Sequence, residues 1–437
     1  MSNTFCPIPW NHQSVRTNGD LRVCSQGNNT KDHGILRKTD GTAYNAGLDQ
    51  LSDARNSSLL KQLRNNMLAD RWSEACSRCQ SEEAAGLPSK RLFECDQWPD
   101  VNPVAMAAIT ADDGTIDTAM LPVAYYDLRF GNLCNLACRM CGPQESTRWY
   151  QDWHGLHGTD WFHDTHGREQ MHKDGSKWVS NSYGWHSSEN FWQQVEHNAH
   201  NVHQVYMAGG EPLLSERHYE FLARCIENGS ASQMLLDYNT NMTSIPNRVL
   251  ELWSHFKTVQ IGASIDGYGA VLEYQRYPAS WDKVLRNIHK VDVAGANIQA
   301  RFTYTVTAYN VLHMPDFMRW KLSESQLLKF NSTLSNPIVT YHVLHGPKRL
   351  SIKTLPAAYK SLVAERFARF HDWVISSGFP DHVKRSSNKI CNSVTNHMMS
   401  DDWHAEHWSQ FQSFTKRLDQ LRAQSLSAVV PELGAYL

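Results

Sequence analysis

Six short β-rich runs lie between residues 124 and 344, and the first four end in a Gly, Asn, Thr or Asp turn. The runs span 124–130, 202–208, 234–239, 259–265, 298–307 and 338–344. Residues 214–228, 247–256, 281–294 and 314–322, lying between them, follow the period of an amphipathic helix. This alternation predicts parallel βα units joined by right-handed crossovers. Six units are too few to close an eight-stranded barrel. The expected fold is therefore α/β: a partial (β/α)6, TIM-like barrel that binds its ligand beyond the C-terminal strand ends. Cys134, Gly209, Asn239 and Asp266 all fall at or just past those predicted ends.

The first strand leads through Gly131-Asn132 into Cys134-Asn-Leu-Ala-Cys138-Arg-Met-Cys141, a C-x3-C-x2-C run. Three thiolates on one short loop can hold three irons of a cubane cluster and leave the fourth open to substrate. A structural zinc site would want a fourth Cys or His. The chain has ten cysteines, and its N-terminus lacks the basic and apolar regions of a secretory signal. It also has no run of eighteen apolar residues. The expected location is the reducing cytoplasm, where thiols are metal ligands more often than disulfides.

A second, looser group comprises Cys6, Cys24, Cys76 and Cys79, with Gly19 inside the first pair and a C-x2-C spacing in the second. Four thiolates in two pairs make a closed site, and spacing alone leaves structural zinc and an iron–sulfur cluster both open. Cys95 reads as a spare thiol and Cys225 as a core position of a helix; Cys391 receives no role. The expected organisation is a cysteine-rich domain at 1–100, a linker at 101–121, the partial barrel at 122–352 and a helical region at 353–437. An insertion at 149–200 is rich in Trp and His, among them His154, His157, His163 and His166. It lacks the paired-His helical patterns of metalloenzymes and reads as a polar excursion whose tryptophans supply buried area.

Taken together, Cys134-x3-Cys138-x2-Cys141 after a strand and Gly209-Gly210-Glu211-Pro212 at the end of the next resemble the radical S-adenosylmethionine (radical SAM) superfamily. Tyr238-Asn-Thr-Asn241, Ser264-Ile-Asp-Gly267, Arg276-Tyr-Pro278 and Thr305-Val-Thr-Ala-Tyr-Asn310 extend the resemblance over about 125–344. It implies a [4Fe–4S] cluster on Cys134, Cys138 and Cys141 that chelates S-adenosylmethionine through its open iron. Met140 would pack near the adenine. Gly209 and Gly210, lacking a Cβ, would let the backbone approach the ligand. Glu211 would hold the methionyl ammonium, Asn241 and Ser264 the ribose, and Arg276 the methionyl carboxylate. Cys6-x12-Gly19-x4-Cys24 with Cys76-x2-Cys79 resembles the twitch or SPASM auxiliary domain, here placed before the radical domain. That likeness favours one auxiliary [4Fe–4S] cluster over zinc.

The implied activity is reductive cleavage of S-adenosylmethionine to a 5′-deoxyadenosyl radical that takes hydrogen from a small-molecule or peptide substrate. A flavodoxin- or ferredoxin-type reductant would supply the electron. The alternative is a non-catalytic iron–sulfur carrier or sensor, which has no use for Gly209-Gly210-Glu211 at a strand end. Lys plus Arg (42) nearly balances Asp plus Glu (44). A neutral chain without a basic stripe is not expected to coat nucleic acid or a membrane surface.

Overall fold

A computed structural model of the chain describes residues 4–27, 34–84, 89–158, 172–180, 182–330 and 337–437. His163 and His166 lie outside the described residues. Ten strands are present: β1 (His12–Val15), β2 (Leu21–Arg22), β3 (Tyr125–Phe130), β4 (His172–Asp174), β5 (Lys177–Val179), β6 (Gln204–Gly209), β7 (Leu235–Thr240), β8 (Thr258–Ser264), β9 (Ile298–Val306) and β10 (Thr340–Val343). β4 and β5 form a separate hairpin, and the other eight make one sheet in the order β10-β9-β8-β7-β6-β3-β1-β2. The six predicted strands are β3, β6, β7, β8, β9 and β10, in chain order across the sheet. The pairs β1–β3, β3–β6, β8–β9 and β9–β10 are parallel, and β1–β2 is antiparallel. Among the described residues the sheet is open, as six units require.

The chain divides into two compact units. The first holds Met1–Leu133, Asn181–Asp237 and His255–Thr258. Within it β1 pairs with β3 through His12↔Tyr125 and Ser14↔Asp127. The cysteine-rich N-terminal segment thus lengthens the sheet instead of standing beside it. The expected linker contains a helix at Pro103–Ile109 whose Asn102 cap accepts from Ala105 N. That stretch is tied down: Trp10 Nε1 donates to Thr110 Oγ1 at 2.9 Å, and Arg64 donates to the Gly114 carbonyl at 3.0 Å. The part of the insertion found in this unit behaves as its tryptophans suggest. Trp185 and Trp192 are buried and stack on Phe130 at 6.4 and 5.8 Å.

The helix Glu216–Glu227 shows why these crossovers form. Glu216 stands at its positive end, and Tyr219, Phe221, Leu222 and Cys225 are buried along one stripe. Cys225 is a core position.

The second unit holds Cys134–Ser180, Tyr238–Ser254 and Val259–Leu437. Its C-terminal part is helical, with long helices at Ala357–Ser376, Asp381–Met399 and His404–Arg422. Trp149, the first residue of the insertion, is buried and stacks on Phe414 at 6.3 Å. No helix among the described residues is long and apolar enough to cross a membrane.

At the end of β6 the two glycines answer to the neighbouring strand. A Cβ on Gly209, whose φ is +122°, would lie 2.5 Å from Phe130 N, and one on Gly210 would lie 2.2 Å from Leu133 O. Gly210 N and Glu211 N donate to the carbonyls of Gly131 and Leu133 at 3.0 and 2.7 Å. The obstacle is main chain and cannot swing aside. Gly210→Ala is therefore expected to lower stability by about 1–3 kcal/mol, read as an earlier urea midpoint with an unchanged slope. A shift inside experimental error would contradict this packing.

Candidate metal and cofactor sites

In the second unit the cysteine loop is fastened at each thiol. Asn241 Nδ2 lies 3.8 Å from Cys134 Sγ and donates to Asn135 Oδ1 at 2.9 Å. Its Oδ1 accepts from Thr243 N at 2.9 Å, and Asn135 returns a bond to Thr243 Oγ1 at 2.8 Å. Asn241 therefore joins the turn after β7 to the loop. The main chain is pinned as well: Ala137 N and Arg139 N donate to the carbonyls of Tyr277 and Gln275 at 2.6 and 2.8 Å. Trp149 Nε1 donates to the Cys138 carbonyl at 2.9 Å.

Cys138 sits under Arg276, whose Nη1 is 3.9 Å from the sulfur. The other terminal nitrogen of Arg276 pairs with Asp266 Oδ2 at 2.7 Å, and both side chains are buried. Asp266 lies just beyond β8; its Oδ1 accepts from Thr305 N at 2.7 Å and its carbonyl from Asn310 Nδ2 at 3.1 Å. The hydrogen bond with Cys141 holds the Cys138 thiol below its ordinary range, and Arg276 adds to the effect. The same bond, with burial, pushes Cys141 up. A thiolate is the ligating form of cysteine, so a cation beside Cys138 suits metal binding.

Arg139, between the last two cysteines, is anchored by elements far along the chain. It donates to the Tyr274 carbonyl at 3.0 Å, pairs with Asp419 at 2.5 Å and lies 3.6 Å over the Tyr274 ring. Sequence reasoning passed over Arg139 and Asp419, because their partnership spans 280 residues and follows no local pattern.

Among the other expected cofactor residues, Met140 is half-buried on the loop and Ser264 is half-buried at the end of β8, opposite Thr303. Arg276, expected at a methionyl carboxylate, is already engaged by Asp266 and Cys138. Gly209, Gly210 and Glu211 belong to the first unit, where the buried Glu211 carboxylate accepts from Leu213 N at 3.3 Å.

The first unit also gathers the second thiol group. Cys6, Cys24, Cys76 and Cys79 line one cavity of about 420 Å³, part of it open to solvent, together with Lys90 and Arg91. Burial pushes the Cys6 and Cys24 thiols up and Cys76 up to about 12, and their mutual proximity contributes to each rise. Lys90 opposes the rise at Cys24 and Arg91 opposes it at Cys76. Among the described residues, no three His, Cys, Asp or Glu side chains converge on a single metal ion. Cys95 lies outside that lining and contacts the Phe5 carbonyl at 3.4 Å.

The three-thiol loop after β3 lies inside the segment that the family comparison matches. Residues 128–319 match the family model of the Radical SAM superfamily, so the chain carries a radical SAM domain. The chain is similar to SuiB of Streptococcus suis at 12% identity and a TM-score of 0.34, covering 79% of this chain and 66% of SuiB. SuiB bound to S-adenosylmethionine gives 12%, 0.32, 79% and 66%, and SuiB bound to its precursor peptide SuiA gives 13%, 0.32, 84% and 70%. This chain thus spans slightly less than two-thirds of the first two SuiB chains. No curated protein matches it in sequence.

Removing Arg276 should expose the Asp266 charge. Burial already raises the Asp266 carboxyl, and Arg276 is the largest influence holding it down. Arg276→Leu is expected to cost about 3–5 kcal/mol at pH 7, the loss typical of a broken buried pair. A carboxyl raised above its unfolded value binds extra protons in the folded state, so stability falls as pH rises through that window. The deficit of R276L relative to the parent should therefore be smaller at pH 5 than at pH 7. Equal deficits at both values in denaturant titrations would mean that Asp266 is not the charge left behind.

Proposed function

We propose that this chain is a radical SAM enzyme holding a [4Fe–4S] cluster on Cys134, Cys138 and Cys141 and an auxiliary [4Fe–4S] cluster on Cys6, Cys24, Cys76 and Cys79. When bound, the first cluster and S-adenosylmethionine supply reductive cleavage to a 5′-deoxyadenosyl radical, which abstracts hydrogen from a small-molecule or peptide substrate. The observation that carries the reading is the cation-backed, three-thiol loop inside the matched domain.

The chain's own residues have separable tasks. Arg276 places a positive charge beside Cys138, Asp266 keeps Arg276 in place, and Asn241 fixes the approach of the loop at Cys134. Met140 and Ser264 are assigned to the nucleoside part of S-adenosylmethionine, and the Gly209-Gly210-Glu211 turn to its amino-acid part, as the family pattern implies. Lys90 and Arg91 offset negative charge at the auxiliary site, where four thiolates would otherwise repel. The likeness of the cysteine spacing to the twitch or SPASM pattern favours a cluster there over one zinc ion. A flavodoxin- or ferredoxin-type protein is the expected electron donor.

Anaerobic reconstitution with iron counting and 5′-deoxyadenosine detection tests the reading. The expected result is about eight irons per chain, four for each cluster, with 5′-deoxyadenosine formed under a strong reductant. No product from a protein carrying both clusters would refute it. The double variant C76A/C79A should lose about half the iron while uncoupled cleavage persists. Complete loss of cleavage would instead place the auxiliary cluster on the electron path or in the fold.

A further inference from the structure

The cysteine loop of the second unit carries more positive charge than its contact with Arg276 supplies. Arg139, within the loop, and Arg422, the last residue of the helix His404–Arg422, add two further buried guanidinium groups. Arg422 is wedged between two rings, its Cζ 4.7 Å from the centre of Trp149 and 4.9 Å from that of Tyr277. Both of those residues are bonded to the loop beside Cys138. Trp149 Nε1 donates to the Cys138 carbonyl at 2.9 Å, and the Tyr277 carbonyl accepts from Ala137 N at 2.6 Å.

Each of the two guanidinium groups has its own carboxylate, and the cation is the deeper member of both pairs. Arg422 Nε donates to Asp152 Oδ2 at 2.8 Å, with side-chain exposures of 1% for Arg422 and 17% for Asp152. Arg139 meets Asp419 with exposures of 0% and 12%. The positive end of each pair therefore lies inward and the negative end toward solvent. Arg139 Nη1 and Arg422 Nη1 are buried and have no hydrogen-bond partner among the described residues. Burial lowers Arg422; Asp152 opposes that, and the nearby Arg139 adds to it. Two buried like charges with open donors call for a further negative charge beside them.

The sulfur of Cys138 is within reach of that charge. The hydrogen bond with Cys141 comes first in holding the Cys138 thiol low, Arg276 adds to it, and Arg422 contributes after them. Three thiolates on a [4Fe–4S]2+ core leave one net negative charge, and an added electron makes it two. Fixed positive charge and N–H donors near the sulfurs favour the reduced form, and burial strengthens the effect.

We infer that Arg422, brought to the loop by the helix His404–Arg422, raises the reduction potential of the cluster on Cys134, Cys138 and Cys141. It thereby sets how readily the electron that starts the reaction is accepted. This rests on the cluster assignment proposed above. The rival role is a purely mechanical clamp, a wedge between Trp149 and Tyr277 that has no effect on the cluster through its charge.

The test uses the full-length, cluster-loaded protein without S-adenosylmethionine. It is titrated anaerobically with titanium(III) citrate, and the reduced clusters are followed by electron paramagnetic resonance. The signal missing from C134A/C138A/C141A belongs to the loop cluster, and the remaining signal serves as an internal reference. R422Q is expected to bind as much iron as the parent, with its loop cluster at least about ten-fold harder to reduce, a shift of about 59 mV downward for one electron. The reference signal should stay in place. R422K keeps the charge and should recover at least half of the shift. Circular dichroism checks folding. If R422Q does not fold, D152N takes its place; it strips the counter-charge from Arg422 and should make the loop cluster easier to reduce. An unmoved potential in R422Q overturns the inference, and so do equal shifts in R422Q and R422K, the mark of a clamp. A potential that stays or falls in D152N overturns it as well. Absence of the loop signal from the parent protein would overturn the proposed function and this inference together. A loop signal whose potential ignores Arg422 would overturn the inference alone.

Discussion

The ion pair between Arg276 and Asp266 is the contact on which the cysteine loop depends. Asp266 is held on one side by the Thr305 amide at the end of β9 and on the other by Asn310 in the turn after it. Arg276 carries that rigidity to the sulfur of Cys138. A buried guanidinium and carboxylate offset each other's desolvation only when the geometry is good and further hydrogen bonds satisfy both. Here the Asp266 carboxylate takes one further bond, from the Thr305 amide, while Arg276 Nε is buried without a partner. The sheet, the turn after β8 and the thiol loop thus form one electrostatic arrangement, and none of the three can move without leaving a charge unpaired.

Much of the fold was legible in the chain because a buried strand and its covering helix impose different periods. All six strand assignments fall within a few residues of the observed bounds, as do the helices at Glu216–Glu227, Trp281–Asp292 and Met314–Ser323. β1 and β2 were not legible. His12-Gln-Ser-Val15 carries polar residues on the face where an ordinary strand alternates toward a dry core, and β2 is only two residues long. The pairing of β1 with β3 joins positions more than one hundred residues apart, which no local pattern records. The stretch at 101–121 looked loose because its anchors, Trp10, Asn56 and Arg64, lie elsewhere in the sequence.

The two thiol groups were legible for a related reason: short spacing survives folding. Cys134, Cys138 and Cys141 occupy one loop by covalent necessity. The gathering of Cys6, Cys24, Cys76 and Cys79 around one cavity needed the tertiary structure, since the pairs are separated by about fifty residues. Arg276 was found by its motif, yet its partners were hidden, because an ion pair to Asp266 looks like any surface charge until burial is known. The two glycines after β6 illustrate the opposite case. Their presence was evident, but the atoms they make room for are the Phe130 amide and the Leu133 carbonyl.

Arg139 has a consequence for the birth of the protein. It sits between Cys138 and Cys141, and its ion-pair partner Asp419 is encoded 280 residues later. At ribosomal speeds of about 5–20 residues per second, on the order of 15–55 s separates the appearance of the thiols from that of the side chain that clamps them. During that interval the loop is complete in composition but not yet fastened from the C-terminal side. The last anchor of the cysteine loop therefore comes from the helix His404–Arg422 and waits for its synthesis.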